Sequence, residues 1–299
     1  MNWRAKIAIQ SALARIPGGQ HANYGLQWLN GSYSKERMHS RLIEQTTKLK
    51  KVLSSIDVGG ATVVEVGTGW ELVAPILFYL FGAHRTYTYD HLHHLRFDIP
   101  RILISMLDAD ELSSISGINA SDLQGRISKL KTCRTLDDLL GLANIAYRAP
   151  SDACHTGLPA NSVDLFFTHE VLEHVPEAVL DGLVAESKRV LKPSGVAYHA
   201  IEPGDHYTRE TSHINHFRYP EWLWSTLNKN HISYHNRLCS RHFLEAFARH
   251  GARIMALESR MSERDLADLQ NGFKLDKRFK HLPVEELAVW YLEVLYQFR

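Results

Sequence analysis

Apolar positions along this chain follow two rhythms. Short runs rich in β-branched and aromatic residues, Thr62–Val66, Val163–Phe167 and Val196–Ile201, read as strands covered on both faces, because they lack the alternation of a half-exposed strand. Thr86–Tyr89 alternates instead, and Ile145–Arg148 adds a further short candidate. Between them the stripe of an amphipathic helix recurs, at about Glu71–Phe81, Arg96–Leu107 and Thr135–Leu142. At 177–191, Ala178, Val179, Leu183, Val184, Val190 and Leu191 share one side, and Lys192-Pro193-Ser194-Gly195 ends that helix. This alternation predicts an α/β fold around an open parallel sheet.

Two helical patterns, 3–16 and 35–56, precede the first strand and predict an N-terminal cap or lid. A glycine-containing loop around Pro17-Gly18-Gly19 and Asn30-Gly31 joins them. Arg37, Arg41, Lys48, Lys50 and Lys51 read as a solvated face, with Tyr33, Arg37 and His39 the candidates for closing over a ligand. The stretch 94–144, polar near Leu112–Gly125, is longer than one crossover helix needs and reads as an insertion over about 105–144. Past Ile201 come a helix at Pro220–Leu227, another at Ser240–His250, a strand at Arg253–Leu257 and a charged loop. Leu287–Phe298 is assigned as the seventh strand, although Glu285–Gln297 also fits a helical period.

The chemistry concentrates after the first strand. Glu65-Val66-Gly67-Thr68-Gly69 ends a buried strand in a glycine turn, where a ligand approaches the backbone with no side chain in the way. A dinucleotide loop asks for a third glycine at position 72, which is Leu72, and Glu71 at the helix start is unwelcome beside a pyrophosphate. A cationic cofactor without phosphate fits better. One βα unit further on, Asp90 stands at the end of the neighbouring strand, where a carboxylate suits a ribose diol.

The pattern Glu65-Val66-Gly67-Thr68-Gly69 resembles motif I of the class I methyltransferases that use S-adenosylmethionine (SAM). The run from Leu158 to Val175, with Asp164, His169, Glu170 and His174, looks like motif IV of their ubiquinone/menaquinone branch, and Arg189–Val196 resembles a late motif of that branch. The matches span residues 62–201 in order. The resemblance implies an α/β fold with a seven-stranded, mostly parallel, doubly wound sheet, helices on both faces, an N-terminal helical cap and C-terminal insertions. It implies a cap over 1–58 and a methyltransferase domain over 59–299, with a substrate-side insertion at about 202–240. It implies SAM as cofactor, held by Glu65, Gly67, Thr68, Gly69, Asp90, Asp152, Ala153, His169 and Glu170, with Asp90 on the ribose and Asp152-Ala153 at the adenine amino group.

Charge and cysteine content narrow the partners. A net charge of +1 gives no general reason to expect nucleic acid as a partner, although residues 1–58 carry nine Lys/Arg against three Asp/Glu. Three widely spaced cysteines argue for a reducing compartment, and no apolar run approaches the roughly 20 residues of a membrane span. The expectation is a cytoplasmic protein, with weak peripheral membrane contact through its basic N-terminal helix as the alternative to packing. The sequence leaves the oligomeric state open.

Methyl transfer needs alignment and, for a protonated nucleophile, a base. His206, beside Asp205 on the segment after the fifth strand, is the candidate; His213 and His216 lie close behind. No metal is assigned, because neither His91/His93/His94 nor His213/His216 has a recognisable carboxylate partner. The reading is O- or N-methylation, in preference to C-methylation, of a small-molecule or glycan-type acceptor. An NAD-type oxidoreductase and a non-catalytic SAM-binding module are the alternatives.

Overall fold

A computed structural model describes residues 19–208, 210–227 and 234–298. The expected helix at 3–16 therefore lies outside the described residues. Seven strands form one sheet: β1 (Thr62–Val66), β2 (Arg85–Tyr89), β3 (Ile145–Arg148), β4 (Val163–His169), β5 (Leu191–Ile201), β6 (Ala252–Met261) and β7 (Val289–Phe298), in the order β3-β2-β1-β4-β5-β7-β6. The first five run parallel, β7 is antiparallel to β5, and β6 is antiparallel to β7. This is the doubly wound, mostly parallel sheet expected from the sequence. Leu287–Phe298 is a strand from Val289 onward, after a single helical turn at Val284–Leu287.

Helices cover both faces. One face carries α1 (Gly19–Leu29), α2 (Lys35–Leu53), α3 (Val73–Leu80), α4 (Asp98–Met106), α5 (Ala109–Ser116), α6 (Ala120–Leu130) and α7 (Leu136–Leu142). Their apolar side chains join Val63, Leu165 and Val196 in one core. On the other face α8 (Glu177–Val190) and α10 (Ser240–Arg249) pack over Val64, Phe166 and Ala197, while α9 (Glu221–Leu227) sets Trp224 beside His216 and Arg237. Because β1 is buried from both sides, Val63 and Val64 have no solvent exposure, which is why its sequence lacks alternation.

Several local expectations change. The segment before α2 is a helix, α1, where a loop was expected, since Tyr24 and Trp28 find aromatic partners that offset its glycines. Leu72, at φ 58°, is left-handed, so α3 begins at Val73 and not at Glu71. The polar stretch Leu112–Gly125 is mostly α5 and α6, capped by Asp108 and Asn119 accepting backbone N–H groups. The charged loop after β6 contains α11 (Glu263–Gln270), whose N-cap Ser262 accepts from Asp265 N. Among the described residues no helix is long and apolar enough to cross a membrane.

Register places the site. Val66 pairs with Tyr89 on one side and Thr168 on the other, so the residues that follow, Gly67, Asp90 and His169, emerge together at the carboxyl edge of the sheet. In open parallel sheets that edge is where ligands bind.

Candidate functional site

The glycine loop is tied down from beneath. Gly67 N donates to Tyr89 O at 2.8 Å, and Gly69 N donates to Asp90 Oδ2 at 2.9 Å. Both glycines have left-handed backbone, φ 88° and 60°, which favours glycine. Their roles differ. A Cβ on Gly67 would stand 2.2 Å from Val171 Cγ2, so its missing side chain makes room for Val171 and not, as expected, for a ligand. Nothing lies within 4 Å of a Cβ built on Gly69, and that side of the loop is open.

Beneath the loop Thr68 Oγ1 donates to Thr88 Oγ1, which donates to Glu65 Oε2, all buried. Burial raises the Glu65 carboxyl to about 8; Thr88's hydrogen bond opposes the rise and Asp90's charge adds to it. Asp90 behaves oppositely. Burial pushes it up, but hydrogen bonds from His91 and from the Leu92 and Gly69 N–H groups prevail and hold it below the usual carboxylate value. Two acids at the tips of adjacent strands thus divide into a proton carrier and an anion.

Asp152 is exposed and folds back on its own loop, accepting from Cys154 N at 2.8 Å and lying 2.9 Å from His155 Nδ1. Ser151 N donates to Asp90 O, so the Asp152-Ala153 loop starts from the tip of β2. His169 and Glu170 follow β4. Glu170 is left-handed at φ 54°, and its N–H donates to Ala200 O. Such a non-glycine outlier at a strand end marks a constrained turn.

The N-terminal helices reach this edge through residues that the sequence did not assign to the site. Tyr24 stacks on Trp70 at 4.9 Å, and Arg41 pairs with Glu71. Lys48 Nζ lies 2.8 Å from His169 Nε2 and 2.6 Å from Glu44 Oε1. Lys48 is 5% exposed, which corrects its assignment to a solvated face. Of the expected closing residues, Tyr33 is buried against Trp28 and His39 pairs with Glu111.

On the far side of the edge a histidine cluster collects. His174 and His206 have ring centroids 5.0 Å apart, and His235 stands 4.7 Å from His206 and 5.3 Å from His216. His206 Nε2 lies 3.0 Å from Glu202 O, on the segment after β5. Glu173, on the turn Leu172–His174, is fully buried, and burial drives its carboxyl well above the usual range. Arg237 donates to His216 O and Tyr219 O and pairs with Glu221, fixing the backbone behind the cluster.

A family profile described as a methyltransferase domain matches residues 114–199. No curated protein sequence matches the chain. Among solved structures, the chain is similar to a geranyl diphosphate methyltransferase in complex with SAM, at 15% identity and TM-score 0.47, covering 90% of this chain and 91% of that one. It is similar to a SAM-dependent methyltransferase from Mesorhizobium loti at 16% identity and TM-score 0.46, covering 85% and 99%. A geranyl diphosphate C-methyltransferase from Streptomyces coelicolor, solved with Mg2+, geranyl diphosphate and S-adenosylhomocysteine, aligns at 14% identity and TM-score 0.46, covering 89% and 83%.

Proposed function

We propose that this chain, whose residues 114–199 match a methyltransferase domain, is a class I, SAM-dependent methyltransferase that transfers a methyl group to a small-molecule or glycan-type acceptor through oxygen or nitrogen. The observation that carries this reading is the pairing of Gly69 N with Asp90 beside a face of the loop that is open to a ligand. Asp90 Oδ2 accepts the Gly69 N–H and keeps a second lone pair for a sugar hydroxyl, while Oδ1 accepts from Leu92 N and lies 3.2 Å from His91 Nδ1. Glu65 and Thr68 underpin the loop, Asp152-Ala153 continues the rim from the tip of β2, and His169-Glu170 bounds it from β4. When bound, SAM supplies an already activated methyl group, so this chain's residues have only to align the acceptor and deal with its proton.

Acceptor-side chemistry falls to the histidine cluster. His206, about one-fifth exposed and beside His174, is the side chain we place against the acceptor. Rings of this kind, with Tyr207 and Trp224 near them, suit a polar hydroxylated molecule. Leu72 is fully buried in the core where a dinucleotide loop needs its third glycine, which disfavours the NAD alternative.

Isothermal titration with SAM and with S-adenosylhomocysteine tests the cofactor assignment. Saturable binding of both is expected. A folded sample that binds neither, yet is stabilised by NAD in a thermal-shift panel, would sink it.

A further inference from the structure

Two groups of side chains at the carboxyl edge have the composition of a cation site. Glu44, His169 and Glu170 form one; Glu173, His174 and His206 form the other, with one donor atom from each residue lying within 4.8 Å of the others. The first is already filled. Lys48 puts its ammonium 2.6 Å from Glu44, 2.8 Å from His169 and 3.9 Å from Glu170, supplying the positive charge these groups require.

The second has no such cation among the described residues. Glu173 has no solvent exposure, and no Lys or Arg of the described residues pairs with it. Neither carboxylate oxygen has a hydrogen-bond partner; the N–H groups of Glu173 and Glu202 come near without bonding geometry. A buried carboxyl whose oxygens have no partner is costly even when burial keeps it protonated, and a metal ion would take the place of that proton. Carboxylate oxygen with two imidazole nitrogens is the donor set of catalytic zinc sites and of the facial triad of divalent iron, both of which keep coordination positions open.

We propose that Glu173, His174 and His206 bind a first-row divalent transition metal ion at the acceptor side of the cofactor loop. The surroundings are built for it. His174 Nδ1 lies 2.6 Å from Tyr234 O and donates to it, which fixes the tautomer and leaves Nε2 as the ligand nitrogen. Asn236 clamps the turn carrying Glu173 and His174: its side-chain amide donates to Leu172 O at 2.7 Å and Val175 O at 2.8 Å, and its N–H donates to Glu173 O at 2.9 Å. Ligands about 2.1 Å from one ion stand roughly 3–3.5 Å apart. Donor atoms that lie within 4.8 Å of one another close by roughly 1–2 Å on binding one ion.

The site also has a use. Val171, two residues before Glu173, packs onto Gly67, so the ion lies beside the loop assigned to the cofactor. On the methyltransferase reading, which this part of the inference rests on, an open coordination position would take the acceptor's oxygen and make its hydroxyl more acidic, so that the proton leaves to solvent as the methyl group passes from the sulfonium to that oxygen. His206 is then a ligand and not a free base, and the acceptor class is one that coordinates through a hydroxyl.

The test begins with the whole chain stripped of metal by chelating resin. Titration with Zn2+ and with Mn2+, checked by metal content after dialysis, is expected to give about one ion per chain; Co2+ loading should give visible d–d bands. Glu173→Gln and His174→Asn are each expected to weaken binding at least ~10-fold. His174→Asn covers the case in which the buried substitution unfolds the protein. Failure of the folded wild-type chain to bind either ion overturns the proposal, as does unchanged affinity in His174→Asn. SAM titration on the same metal-free samples separates the two readings: SAM binding without metal binding removes only the metal site, and metal binding without SAM binding removes only the cofactor.

Discussion

Lys48 Nζ and His169 Nε2 stand 2.8 Å apart, joining an N-terminal helix to the loop that ends β4 across 121 positions of sequence. An ammonium only donates, so His169 accepts at Nε2 and carries its proton on Nδ1. Burial first, and Lys48's charge second, lower the His169 pKa to about 3, so the ring is neutral throughout the physiological range.

Lys48→Met should therefore do more than remove a surface charge. It leaves Glu44, His169 and Glu170 without their shared cation, a loss expected to cost about 1–3 kcal/mol in urea denaturation. Lys50→Met, two positions on and exposed, should stay within about 0.5 kcal/mol of wild type. Equal stability of the two variants would remove Lys48 from the structure of the edge.

The two loop glycines should fail in different ways. Gly67→Ala collides with Val171, and its backbone is left-handed, so a stability loss of about 1–3 kcal/mol is expected. Adding Val171→Ala relieves the collision but not the strain, and should restore part of the loss. Gly69→Ala meets open space, so its stability cost should be about 1 kcal/mol while SAM affinity falls much further. Thermal melts and calorimetry on the same samples read both effects; intact SAM affinity in Gly69→Ala would place the cofactor elsewhere.

Asp90→Ala removes the carboxylate that holds Gly69 N and Leu92 N. SAM binding should weaken by about 1–3 kcal/mol, the range for charged hydrogen bonds. Asp152→Ala, whose carboxylate is exposed and engaged in its own turn, should have the smaller effect on affinity. The reverse order in calorimetry would exchange the importance of the two acids.

What the sequence revealed and what it hid divide along a physical line. The strands and the glycine loop were legible because burial on both faces and left-handed backbone each demand particular residues locally, as at Val63, Val64 and Gly69. Lys48 was not: one lysine among several on a polar helix carries no mark of a partner 121 positions away. Glu173 and His174 were visible as part of a motif, but His206 reaches them only because β5 runs beside β4. The helix α11 was missed although Ser262 and Asp265 have capping spacing, because Leu266 and Leu269 are the only large apolar residues in its charged run.

Acid stability offers a test of the core beneath the site. His199 is buried on β5, with Nδ1 2.8 Å from Thr168 Oγ1, Nε2 2.9 Å from Tyr296 Oη, and its ring stacked on Phe247 at 5.1 Å. Burial alone lowers its pKa to about 3, against about 6.5 in the unfolded chain. Between these values the unfolded state binds a proton that the folded state refuses, so the stabilisation is complete above pH 6.5 and is lost progressively as pH falls towards 3. At about 1.4 kcal/mol per pH unit the His199 share reaches roughly 3 kcal/mol at pH 4. His169 acts in the same direction. His199→Gln keeps a donor and an acceptor between Thr168 and Tyr296 but does not titrate, so its unfolding free energy should fall less steeply than wild type from pH 6.5 to 4.5 in urea titrations. Parallel curves for the two proteins would mean that His199 takes up its proton in the folded state, contrary to its burial.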